Sequence, residues 1–246
     1  MTRFCAHKLI DAIQDGTVRC WNSAAAEKIV DLEDRIITAQ KFHAGHIDNL
    51  PPVRTKLWDL PPLRLPYPVT YIEFEVADVV ICMLARESDE NAILLDAVLF
   101  SEGEFLANGV TVVLREGTQT QIDHDLQDGG MSQAIGDQTL FFHTFLTALN
   151  CVNVVAVDNP PPPKLNRKRS VKGKTPLFSF KTLHLKPERK AKEATIQGGA
   201  DRAGPRLHLR RGHIRRLDDK QIWVQPHMVG KLSRGMVLKD YELSRP

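Results

Sequence analysis

VTYIEFEVADVVICMLA, residues 69–85, decides the fold class. Its first half alternates, with Ile72, Phe74 and Val76 on one face and Tyr71, Glu73 and Glu75 on the other, the period of a β-strand. Its second half, Val79 to Ala85, is a continuous apolar run. A turn follows at Ser88 to Asn91, and Ala92 to Phe100 and Val110 to Leu114 read as two more strands. Connections this short favour an antiparallel meander. Glu73 and Glu75 share a strand face, and that face reads as solvated.

Outward from the meander the apolar spacing switches to the helical period. Thr2 to Gln14 places Leu9, Ile10 and Ile13 on one side, and Gly16 follows as a stop signal. Ser23 can cap a helix over Ala24 to Phe42, carried by Ile29, Leu32 and Ile36. Gln133 to Leu149 is the third helix, with Leu140, Phe141, Phe145 and Leu149 facing inward. The helices at 24–42 and 133–149 are expected on one face of the strands. Between helix and meander, PPVRTKLWDLPPLRLPYP (51–68) is too rich in proline for a helix or a central strand, and is expected to cross the core in extended form. The class is α+β.

The formal charge of +3 hides a split. Residues 1–163 carry 11 Lys and Arg against 23 Asp and Glu, a balance of −12, whereas residues 164–246 carry 22 against 7, a balance of +15. The change falls at the stiff run Pro160–Pro163. This gives two expected units, an acidic α+β domain (1–163) and a small basic β-rich module (164–246). The module's strands are read at Phe178–Leu185, Arg206–Leu217, Gln221–Gln225 and Met236–Leu243, with a mobile polar loop near 186–204. An asymmetry of this size suits a polyanion partner, or attraction between the two parts of the chain.

Two basic stretches carry the candidate site. The first, Lys164, Arg167, Lys168, Arg169, Lys172 and Lys174, reads as a flexible loop that neutralises phosphates. Gly173-Lys174-Thr175 is not a phosphate loop, because Lys168 stands where that motif needs glycine and Pro176 blocks the following helix. The second, residues 206–230, offers His208, Arg210, Arg211, His213, Arg215 and Arg216 for phosphates, and Trp223 as a platform for a base. His208, His213 and His227 also suggest zinc, with no fourth ligand clearly supplied, or a histidine-dependent nuclease. Glu73 and Glu75 lack the lysine spacing of metal nucleases. His124-Asp125, with His43 and His46, is a weak match to a metal phosphohydrolase. No nucleophile elbow or dinucleotide fingerprint occurs, and a non-catalytic role with no cofactor is expected. Cys5, Cys20, Cys82 and Cys151 are scattered, which fits a reducing cytosol. The N-terminus lacks a signal-peptide core, and no apolar run reaches membrane-spanning length.

LNRKRSVKGKTPLFSFKTLHL (165–185), HLRRGHIRRL…IWVQPHMVG and the closing VLKDYEL resemble the tails of an uncharacterised bacteriophage and prophage protein group. The resemblance covers about the last third of the chain. It implies a phage or prophage origin, hence the cytoplasm of a bacterial host, and no mechanism. The expected function is therefore a phage-type accessory protein that binds DNA or RNA through its basic third. The alternatives are a modulator of a host protein acting by protein–protein contact, and the nuclease.

Overall fold

Alternating and continuous apolar runs bury the central strands on both sides, and this sets the architecture. A computed structural model describes residues 4–50, 65–88, 92–115, 121–122, 129–186, 206–210, 213–217, 220–224 and 227–236. The fold is α+β. The described helices are α1 (Ala6–Gln14), α2 (Ser23–Thr38), α3 (Gly129–Leu149) and α4 (Pro163–Val171). The strands of the large sheet are β1 (Arg19–Cys20), β2 (Gln40–His46), β3 (Val69–Val76), β4 (Val79–Glu87), β5 (Ala92–Ser101), β6 (Glu104–Arg115), β7 (Gln121–Ile122), β8 (Val154–Asn159) and β9 (Phe180–Leu185). Their order is β1-β6-β5-β4-β3-β2-β9-β8, with β7 paired on β6. Strands β3 to β6 form the expected antiparallel meander, while β2 runs parallel to both β3 and β9.

The two faces of the meander bury different helices. Tyr71, Val80, Cys82, Leu84 and Val98 pack under α1 and α2 with Leu9, Ile10, Leu32 and Ile36. Ile72, Phe74, Ile81 and Met83 pack under α3 with Phe142, Phe145 and Leu146. Helices α2 and α3 therefore lie on opposite faces, not on one. The cause is β4: its run Val79 to Ala85, apolar at every position, loses free energy unless both of its faces are covered.

Three further expectations change. Helix α2 ends at Thr38, not Phe42, because Ala39 turns to extended backbone (ψ 144°) and Phe42 and His43 enter the sheet beside Ile72 and Glu73. The cap of α2 is Asn22, whose side chain accepts from the Ala25 N–H, rather than Ser23. Strand β9 sits between β2 and β8 in the large sheet, and Phe180 stacks on Phe4 at 4.5 Å between centroids. The charge boundary at Pro163 is thus not an edge of this sheet.

Farther along, β10 (Arg206–Arg210), β13 (His227–Val229) and β14 (Lys231–Met236) form a three-stranded sheet. Strands β11 (His213–Arg216) and β12 (Gln221–Val224) form a hairpin, closed by backbone hydrogen bonds between Leu217 and Lys220. The last strand begins at Lys231 and reaches Met236, so the expected span Met236–Leu243 falls almost wholly outside the described residues. So do the stretches 51–64 and 187–205, the doublet His124-Asp125, and Arg211. No described helix is long and apolar enough to cross a membrane.

Candidate nucleic-acid interface

The run from Lys164 to Val171 is helical, which corrects its reading as a flexible loop. Pro162 caps it and Pro163 opens it, where a missing N–H costs nothing and the fixed φ suits the first turn. Lys and Arg are good helix formers, and Lys168 and Arg169 in the last turn complement the negative end of the helix dipole. Gly173 ends the turn at φ +63°, a backbone conformation suited to glycine.

Helical geometry then sorts the charges. At 3.6 residues per turn, Lys164, Arg167, Lys168 and Val171 share one side, and Asn166 and Arg169 the other. The second side is tied down. Asn166 donates to the Leu177 carbonyl and accepts from the Leu177 N–H. Arg169 donates to the Thr175 carbonyl at 2.6 Å and pairs with Asp11 of α1 at 2.9 Å, while the Thr175 N–H reaches the other Asp11 oxygen. Burial alone would raise the Asp11 pKa, but the hydrogen bonds from Thr175 and Arg169 outweigh it and hold the carboxyl below its ordinary range. Arg169 is therefore a clamp onto the acidic part of the chain, not an outward phosphate contact.

The first side faces water. Lys164, Arg167, Lys168, Lys172 and Lys174 are all exposed, and Val171 among them is 85% exposed. None of these five cations makes an ion pair among the described residues. The helical part of the array, Lys164 to Lys168, spans about 6 Å at the 1.5 Å rise per residue, and Lys172 and Lys174 follow beyond the helix.

The second basic stretch lies at the other end of the β8–β9 pair. Hairpin β11–β12 docks on the turn before β8: the Val152 N–H donates to the Gln221 carbonyl, and the Asn153 side chain bonds both the N–H and the carbonyl of Trp223. Helix α4 follows the far end of β8, about 17 Å away at 3.3 Å per residue. Arg215 and Lys220 on this hairpin are exposed. Trp223 is half-buried and packs against the apolar cluster under α3, so its indole serves packing rather than standing free as a platform.

The remaining candidates are placed by strand register alone. On β10, Arg210 stands opposite His227 and His208 opposite Val229. His213 and Arg216 belong to the separate hairpin, opposite Val224 and Gln221. The three histidines named for zinc are thus divided between two ladders.

The sequence reading missed a buried polar cluster. Glu73 is fully buried, not solvated, and its carboxylate receives the Cys5 N–H at 2.8 and 2.9 Å and the Tyr71 hydroxyl at 2.9 Å. It caps α1 from the sheet and satisfies donors that a helix start leaves open. Burial pushes this carboxyl up to about 8, against the opposing pull of the Cys5 and Tyr71 hydrogen bonds. His43, paired with Glu73 in strand register, lies 3.9 Å from it and 3.6 Å from Glu75, and burial lowers its pKa. Tyr71, Glu73 and Cys82 are almost wholly enclosed, while Glu75 is partly exposed. The chemistry of the cluster is that of a helix anchor.

Comparison with protein-family models, with curated proteins and with solved structures finds no match for this chain.

Proposed function

We propose that the chain is a phage-type accessory protein that binds nucleic acid, with the outward side of α4 as its principal contact. The observation that carries the reading is the sorting of charge along one short helix and the turn that follows it. Five cations point outward without intramolecular partners among the described residues, and the single carboxylate-bound cation, Arg169, points inward. Attraction between the two parts of the chain accounts for Arg169 and leaves the other five unexplained. Phosphate neutralisation with counterion release accounts for those five. Arg215 and Lys220, at the other end of β8, extend the footprint. The phage origin is supported only by the sequence resemblance.

The test is oligonucleotide binding measured by fluorescence anisotropy across a salt series. Replacing Lys164, Arg167 and Lys168 together by Ala should lower the slope of log K against log salt by about 2–3 for duplex DNA, since each phosphate contact contributes about 0.9. The melting temperature should stay unchanged. An intact protein that binds no oligonucleotide at low salt, or a triple variant with the parent slope, rules the reading out.

A second reading, a host-protein partner, is favoured by a separate surface. Val30 and Ile37 lie two turns apart on the outer side of α2, exposed at 72% and 46%, and Trp21 just before the helix is 59% exposed. Exposed apolar side chains grouped on one side of a helix are a feature of protein contacts. Capture of a nuclease-resistant complex that Trp21→Ala and Val30→Asp abolish would favour it.

A further inference from the structure

Between α2 and strands β5 and β6 lies a pocket of about 170 Å³, lined by no residue of α4. Two backbone features make it. Strand β6 bulges opposite β5, so that Asp96 pairs with Thr111 but Val98 pairs with Ala107. Asn108, Gly109 and Val110 thus stand opposite Ala97 alone, two residues more than the partner strand supplies, a bulge of the kind found beside binding sites. At the same place Gly109, at φ +73°, lets the start of α2 approach closely: a Cβ there would stand 2.7 Å from the Ala25 nitrogen.

The walls combine an apolar floor with fixed charges. Ile29, Leu32, Val98 and Val110 supply the floor. Lys28 spans the opening, donating to the Gly109 carbonyl at 2.8 Å and the Thr111 hydroxyl at 2.7 Å, which leaves one of its three ammonium hydrogens unused in these bonds. Thr111 in turn donates to Asp96 at 2.6 Å. Arg86 approaches Asp96 only to 3.9 Å, too far for a hydrogen bond, and its Nε is buried without any partner. Arg35 lies at the rim and is shared with Asp31 at 3.4 Å. Three cations face two carboxylates, and the buried donor with no acceptor belongs to a cation. A guanidinium so poorly paired is costly to hold partly buried, and an oxyanion set against its accessible side offsets that cost.

We infer that this pocket binds a small organic anion, its carboxylate or phosphate held by the Arg86 guanidinium and the free hydrogen of Lys28, with a short apolar tail on Ile29, Leu32, Val98 and Val110. The volume is below the usual range for drug-sized ligands, so the ligand is of small-metabolite size.

Butyrate, butyl phosphate, 1-butanol and butylamine are the probes, titrated against the full chain by calorimetry and by amide chemical shifts. Saturable binding of butyrate or butyl phosphate is expected, with the tighter of the two identifying the headgroup. Shifts should centre on Gly109 and Thr111. The alcohol and the amine should bind at least about 10-fold more weakly, and Arg86→Gln should weaken the anion by about 10- to 100-fold, the range of a charged hydrogen bond. The wild-type shift map does not depend on how well the variant folds. Binding of neither anion, equal binding of alcohol and anion, preference for the amine, or shifts confined to other residues each overturns the inference. A folded Arg86→Gln variant with parent affinity does so as well.

Discussion

Glu73 should make the protein lose stability as the solution passes from slightly acid to slightly alkaline. An unfolded glutamate ionises near 4.5, whereas burial in the folded chain pushes Glu73 up to about 8. Between these values the folded state holds a proton that the unfolded state has released. Stability then falls with rising pH, by at most about 1.4 kcal/mol per unit. On the acid side the imidazole of His143 works the other way. Burial holds it, and that of His7, at about 4 against 6.5 unfolded, so their contribution is complete above 6.5 and is lost as the pH falls toward 4. Lys41, lowered by burial to about 8, adds stability only above that value. From pH 6.5 to 8, Glu73 is thus the dominant shifted group that titrates differently in the two states. The expected loss is about 2 kcal/mol, or roughly 4–8 °C in melting temperature for a chain of this size. Melting followed by circular dichroism at half-unit steps measures it, and Glu73→Gln should flatten the profile in that window. A wild-type profile that is flat or rising from 6.5 to 8, or a variant that keeps the parent slope, refutes the reasoning.

Two substitutions separate structural from ligand-binding roles among the basic residues. Arg169→Met should cost about 1.5–3 kcal/mol in urea unfolding, the worth of charge-assisted hydrogen bonds to Asp11 and Thr175, with the salt slope for DNA unchanged. A slope reduced by about 0.9 at parent stability would instead make it a phosphate contact. Trp223→Ala should cost about 2 kcal/mol of stability, less than the 3–5 of a fully buried aromatic because the indole is half-buried. Single-strand affinity should stay within about twofold. A loss of about 1–3 kcal/mol in single-strand binding at unchanged stability would restore the base-stacking role.

Strands β3 to β6 were legible because period-2 alternation and short turns are local signals. Strand β2 was not, because its residues carry no strand signal of their own. Lys41 and His43 are buried there only because β3 and β9 close on both sides, and Lys41 finds its acceptors in the Ile37 and Ala39 carbonyls at the end of α2. The helical spacing of Ile29, Leu32 and Ile36 therefore ran on, in the reading, to Phe42. The faces chosen by α2 and α3 were undetermined for a related reason. Val79 to Ala85 is apolar throughout, so the sequence offers two equal surfaces, and only the connections decide which helix takes which.

The candidate site divides along the same line between local and distant causes. Six cations in eleven residues, 164–174, are visible as composition, and composition alone reads as a solvated loop. Whether they form a helix depends on Asp11, Thr175 and Leu177, and Asp11 is 158 residues from Arg169. Once the helix exists, its 100° step per residue assigns Lys164, Arg167 and Lys168 to solvent and Arg169 to the clamp, a distinction no count of charges contains. Glu73 shows the converse. Alternation placed it correctly on the face of Tyr71, but what covers that face is the start of α1, 68 residues earlier. The useful sign was Tyr71 itself: a large aromatic two residues away on the same face argues that the face is covered, and a glutamate beside it must then find donors. Charge in this chain therefore has two fates. Where tertiary contacts supply a partner, as for Arg169 and Asp11, it fixes the fold; where they supply none, as on the outer side of α4, it is left for a ligand.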